Sequence, residues 1–562
     1  MPTHVPGEQP EYLGPGGPAG PVTDEPEPGP GGRGRRTGIV VGAAVAVVAA
    51  VGVGGYGLVQ LMAGGSSPAS AVPADALGYV SLDLDPSASQ KIEAFRTMRR
   101  FPGLRKELGR QDDLRRAVFD QIRQDSPDCK SLSYDDDVEP WIGNRVAVAA
   151  VPDAKRIALP VVALQIGDEA AAKKGMQAIL DCSDGDEVGI SFSGDYALVT
   201  EKQADADRVA QDAEAASLAD DPDYRTWLDR AGDPGIVTMY ASKDVPDAIV
   251  RGMKRSMASA MEFGDDPGFS VDPNSSAQMR SFEKQMRDYQ ERAAQRVRDE
   301  LAGFEGAAGV VRFADGAVEA EAATKGFRKS IGGSDGAGRA AATLPASTAA
   351  ALSLAVRPGW VHDYLEGMSS LTMGPGTDPD QVWREAERAT GLHLPEDLET
   401  MLGDGVTVSV DSSANLRDLA GDQPPTDLPA GIRIQGDPSK IVPIIDKLKR
   451  AAGPQADLVH VEQGAGVVAV SLSADYAARL VADGDLGGQD AYQRVVPESD
   501  RAGALFFVDF DADNGWGERL ADLVSGGDAE ARANVEPLDA LGASAWVDDS
   551  GVTHGLVRLT TD

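Results

Sequence analysis

The chain states one ordered set of short patterns twice, and a chain built that way folds as two related units. Val72-Pro73 and a run ending Ser81-Leu82 return as Leu344-Pro345 and Ser353-Leu354. Asp137-Val138-Glu139, Ile142-Gly143 and Val146-Ala147-Val148 return as Asp397-Leu398-Glu399, Leu402-Gly403 and Val406-Thr407-Val408. Leu159-Pro160 leading to Gly167-Asp168 matches Leu428-Pro429 leading to Gly436-Asp437, and Leu218 with Tyr224 matches Leu486 with Tyr492. The last hairpins turn at Asp315-Gly316 and Ser550-Gly551. Most offsets lie near 270 residues (Tyr224 to Tyr492 is 268), but the last is 235, so the first repeat carries an insertion.

Within a repeat, short alternating β-type runs lie next to each other in sequence. Residues 145–151 and 160–167 are one such pair, and residues 168–181 then show helical spacing. The expected fold class is α+β: two tandem related repeats of mixed, mostly antiparallel sheet with helices packed on one face. The repeats occupy residues 75–325 and 344–562, joined by a small-residue linker at 326–343. The insertion, at about 252–301, reads as a helical hairpin. Met253, Met257 and Met261 fall on one stripe, and Met279, Phe282 and Met286 begin a second. Methionine packs adaptably, so this hairpin is a candidate binding surface for a partner helix or an apolar ligand.

Residues 37–63, TGIVVGAAVAVVAAVGVGGYGLVQLMA, are free of charge and long enough as a helix to cross a hydrocarbon layer of about 30 Å. Arg33, Arg35 and Arg36 precede them, which predicts a signal-anchor helix with a cytoplasmic N-terminus. Residues 1–36, rich in proline and glycine, read as a disordered tail, and residues 64–74 as a tether. The expected location is the plasma membrane, single-pass, with everything after residue 63 extracytoplasmic.

The net charge is -36; before residue 75 five acids face three arginines, leaving -34 to the rest. Such a surface repels nucleic acid and favours basic partners and divalent cations. The two cysteines, Cys129 and Cys182, follow the anchor and can form one disulfide outside the membrane. The five histidines are scattered, and no cofactor motif is found. Asp509, Asp511 and Asp513, at steps of two, are the best metal candidates. The sixth position of that loop is Asn514 and the twelfth Leu520, which depart from a calcium-loop pattern. Gly332-Gly333-Ser334-Asp335-Gly336 fits a nucleophile-elbow string but sits in the small-residue linker, away from the strand that motif needs.

Four stretches carry a resemblance: PADALGYVSLDLDPSASQKIEAF from Pro73, VEPWIGNRVAVAAVP from Val138, PVVALQIGD from Pro160 and SLADDPDYRTWLDRAGDPGIVTMYAS from Ser217. They resemble an actinobacterial family of membrane-anchored proteins catalogued as a domain of unknown function, number three-three-five-two. That resemblance implies a single-pass envelope protein and supplies no catalytic residue. The expectation is therefore a non-enzymatic envelope module binding a protein or an apolar ligand, and its alternative is an envelope hydrolase using paired carboxylates.

Overall fold

The computed structural model describes residues 66–84, 88–102, 115–116, 119, 123, 129, 131–155, 157–182, 188–262, 291–292, 294–295, 297–299, 301–326, 335–361, 379–415, 427–513 and 515–562. The first half contains β1 (Gly78–Asp83), α1 (Ala88–Met98), β2 (Ile142–Pro152), β3 (Ala158–Ile166), α2 (Glu169–Cys182), β4 (Gly189–Ser193) and β5 (Tyr196–Thr200). It continues with α3 (Gln203–Ala215), α4 (Pro222–Ala231), β6 (Val237–Ala241), α5 (Val245–Glu262), β7 (Gly306–Ala314) and β8 (Ala317–Lys325). The second half contains α6 (Ala337–Ala342), β9 (Thr348–Ala355), α7 (Pro379–Thr390), α8 (Glu396–Leu402), β10 (Gly405–Asp411), β11 (Ala430–Gln435), α9 (Pro438–Ala452), β12 (His460–Gly464) and β13 (Val467–Ser471). It ends with α10 (Ala474–Val481), α11 (Asp490–Val495), β14 (Ala504–Asp509), α12 (Trp516–Ser525), α13 (Ala529–Val535), β15 (Leu538–Val547) and β16 (Thr553–Thr561).

Local chemistry sets several of these boundaries. Asp168, Asp221 and Asp437 accept from the backbone N–H groups of Ala171 at 2.7 Å, Tyr224 at 2.8 Å and Ser439 at 2.9 Å, capping α2, α4 and α9. Between β7 and β8, Asp315 and Gly316 both take positive φ, the backbone that matches the twist of a two-residue hairpin.

All sixteen strands belong to one sheet, ordered β12-β13-β11-β10-β9-β14-β15-β16-β8-β7-β6-β1-β2-β3-β5-β4. Adding eight to each strand number of the first half gives the second half, read from the opposite edge. The halves meet where β8 pairs with β16. There Glu321 lies directly opposite Leu556, the residue 235 positions further on, and 235 is also the spacing of the hairpin turns at Gly316 and Gly551. A local two-fold axis therefore passes between Glu321 and Leu556.

Three parts of the sequence expectation are corrected here. The sheet is not mixed: every strand pair is antiparallel, and the halves share one sheet. Helices also do not keep to one face. On the first face, α3 and α4 cover Tyr79, Ala147, Ala163 and Leu198, while α6, α10 and α11 cover Ala351, Ala469, Leu505 and Phe507. On the second face, residues Tyr134–Val138 and α2 pack on Val162, Ala197 and Val199, and α9 packs on Ile434 and Val468. The reason lies in the strands. β5, YALVT, is buried at every position, and a strand apolar on both sides needs a covering layer on both sides. Finally, no helix among the described residues is long and apolar enough to cross a membrane, so the expected transmembrane helix is not shown; residues 37–63 lie outside those described.

Cys129 and Cys182 are joined by a disulfide that ties the β1–β2 connection to the end of α2. Of the Met stripe, Met253 is half-buried on α5. Met257 and Met261 lie on the same helix without described side chains, and Met279, Phe282 and Met286 lie outside the described residues.

Candidate binding face

Side chains of directly paired residues project from the same face of a sheet. Following the pairing across all sixteen strands gives Val461, Val470, Ile432, Val408, Leu352, Phe506, Ala543, Val557, Ala320, Val311, Val237, Leu82, Val146, Leu164, Ala197 and Phe192. Every member is apolar, and the row lies on the second face. Two residues along each strand runs a parallel row, from Val468 through Leu354, Met239 and Val148 to Ile190, again apolar in β13 through β4.

The halves treat this row differently. In the first half Leu82, Val237 and Ala197 are buried, and Ala94 of α1 packs on Phe313 of β7. In the second half Ile432, Val408, Leu352, Phe506 and Val557 are each 38–44 % exposed. Four of them are consecutive cross-strand neighbours on β11, β10, β9 and β14. Scattered exposed aliphatics are ordinary, but a contiguous apolar patch on a chain this acidic marks a contact surface.

The metal candidates lie elsewhere, at the end of β14 on the first face. Asp509 accepts from the backbone N–H of Asp511 at 3.0 Å. Asp511 converges with Asp539 and Asp562, three carboxylates whose oxygens lie within 4.8 Å of one another, a spacing a hard cation can bridge. Asp513 is outside that group. Asp539 and Asp562 were invisible as partners in the sequence, because pairing of β14 with β15 and of β15 with β16 brings them together. Arg494 of α11 donates to both oxygens of Asp539, at 2.7 and 2.9 Å, and the Thr560 hydroxyl donates at 2.7 Å. Among the described residues no cation is paired with Asp511. Desolvation, then its hydrogen bond to Asp562 and the neighbouring negative charges, push its carboxyl up to about 6.

The architecture defines a class first: a twice-stated eight-strand antiparallel unit fused edge to edge, carrying an open aliphatic face. Residues 40–189 match the model of a family described as "Protein of unknown function (DUF3352)". The match takes in the Pro73, Val138 and Pro160 stretches and ends before Ser217; neither membrane anchoring nor an actinobacterial origin comes with it. No curated protein and no solved structure matches the chain.

Proposed function

We propose that this protein is a non-enzymatic binding module of the cell envelope, built by internal duplication, whose apolar ligand lies against the open face of the second half. The contiguous exposed row from Ile432 to Val557 carries this reading. It spans six strands, about 24 Å at the usual strand spacing. Nothing in the row can donate or accept a hydrogen bond, so a ligand with polar groups along its body would lose its hydration without compensation. Each exposed side chain has about two-fifths of its surface left to cover. That is worth about 0.8 kcal/mol apiece, and about 4 kcal/mol over the five. The charge of -36 favours a neutral or cationic head group over an anionic one. An acyl chain on an uncharged head group meets each condition.

Placement outside the cytoplasm is supported by the Cys129–Cys182 disulfide, since such bonds persist in oxidising compartments. The alternative, a carboxylate hydrolase, draws on the raised Asp511 carboxyl, a property suited to a general acid. Its partners stand too close, however. Oxygens within 4.8 Å fall short of the roughly 5–10 Å that separates the carboxyl pairs of glycosidases.

The test uses the full chain with Nile red as the probe and a monoacylglycerol as competitor. Binding should be saturable, and the double variant Leu352→Asp/Val408→Asp should weaken it at least about tenfold while the melting temperature holds. Unchanged binding by that variant, or none by the parent, would defeat the proposal.

A further inference from the structure

A cleft of about 240 Å³ opens on the first face, remote from the aliphatic row, with Ala342, Gly487, Tyr492, Gln493, Ser499 and Asp500 among its walls. Its floor is rigid. The Tyr492 hydroxyl is buried and hydrogen-bonded to Ser499 Oγ at 2.8 Å. Burial pushes that phenol up to about 12, and the negative charge of Asp500 adds to the shift.

The first half shows what such a turn can hold. Leu218 and Tyr224 take the places of Leu486 and Tyr492 in their respective cores. In both halves the residue after the tyrosine donates to the carbonyl six positions back: Arg225 Nε to Ala219 O at 2.8 Å, and Gln493 Nε2 to Gly487 O at 2.9 Å. Arg225 extends a full guanidinium from this anchor and meets Asp220 at 2.6 Å. In the second half the side chain ends at an amide, and the position of Asp220 is Gly488. The carboxylate is supplied instead by Asp500, across a cleft of side-chain size.

We propose that this cleft binds a guanidinium group presented by an arginine side chain of a partner polypeptide, the counterpart of the exposed Arg225–Asp220 pair on the surface of the first half. Asp500 accepts two N–H groups of the planar fork, and the amide of Gln493 and the hydroxyl of Ser499 border it. The chain's net charge of -36 favours the approach of a basic partner. This site is independent of the apolar ligand and stands or falls separately.

The experiment measures binding of a fluorescent arginine-containing tripeptide amide to the full chain at low salt, with the matching lysine peptide beside it. Millimolar-range binding is expected, several-fold tighter for arginine. Gln493→Arg should abolish it by seating the chain's own guanidinium in the cleft, and Asp500→Asn should weaken it about tenfold. Both positions are exposed, so the melting temperature should hold in each variant. Absence of binding by the parent, equal affinity for the lysine peptide, or full binding by Gln493→Arg would overturn the assignment.

Discussion

The seam between the halves carries a buried ion ladder, and its energetics can be worked out in advance. Glu319 on β8 lies directly opposite Arg312 on β7 and Arg558 on β16. Arg312 contacts Glu319 and also Glu321, the latter at 2.5 Å, while Arg558 Nε lies 3.2 Å from Glu319. That last N–H is poorly aligned for a hydrogen bond, so the contact is mainly Coulombic. Side-chain exposures of 8–18 % keep the whole ladder out of bulk water. Removing one partner of a buried pair costs about 3–5 kcal/mol, because the remaining charge stays desolvated. With Glu319→Ala, Arg312 keeps Glu321 and only Arg558 is left alone, so the lower end, about 3 kcal/mol, applies. Urea unfolding followed by tryptophan fluorescence should show that loss. Replacing the ladder outright, with Arg312→Met/Glu319→Leu/Arg558→Met, should lie within about 1 kcal/mol of the parent or above it, since no desolvated charge remains. A Glu319→Ala loss below about 1 kcal/mol would mean that the guanidinium groups are hydrated, and the reasoning would fail.

Further tests address single features. The folded chain holds a proton on Asp511 up to about 6, above the roughly 4 of an unfolded aspartate. Its stability contribution therefore falls as pH rises from about 4 to about 6, and stays low above that. Because Asp511 is exposed, screening keeps the effect below about 1 kcal/mol; Asp511→Asn should raise the melting temperature near pH 7.5 and not near pH 4. Cys129 and Cys182 close a loop with a sequence separation of 53, worth about 4 kcal/mol by chain entropy, so reduction should lower the denaturation midpoint and Cys182→Ser should reproduce the loss. At Gly306 φ is +137°, and an added Cβ would lie 2.2 Å from Trp227 Nε1; Gly306→Ala should cost about 2 kcal/mol, read as a shifted midpoint.

Strand existence was legible wherever apolar residues ran together, as at residues 146–151 and 160–166. What those runs meant was harder to read. VAVAAV fits a half-buried alternating strand as well as one covered on both sides, and only long-range packing separates the two. The single sheet was not legible either, because β8 and β16 lie more than 200 residues apart and carry no turn between them. The aliphatic row fails locally for the same reason. Leu352, Val408, Ile432 and Phe506 are each an ordinary strand residue, and their adjacency exists only in the register. At the acidic cluster, Asp511 could be singled out from its spacing to Asp509, whereas Asp539 and Asp562 reach it through strand pairing.

The doubled topology supplies an internal control that a single unit lacks. Two halves with one strand order satisfy the same folding demands, so a feature present in one half and absent from the other is not required by the fold. The apolar row differs in degree: Val80 and Val148, at the places of Leu352 and Val408, are half-buried in the first half, while Leu352 and Val408 are exposed in the second, and Met239 and Phe506 are equally exposed. The turn after Tyr224 and Tyr492 differs in kind. One half carries an exposed Arg225–Asp220 pair there, and the other a cleft beside Gln493 and Asp500. Exposing five apolar side chains forgoes about 4 kcal/mol of burial. The first half recovers part of that term at Val80 and Val148, so exposure at Leu352 and Val408 is not a demand of the sheet itself.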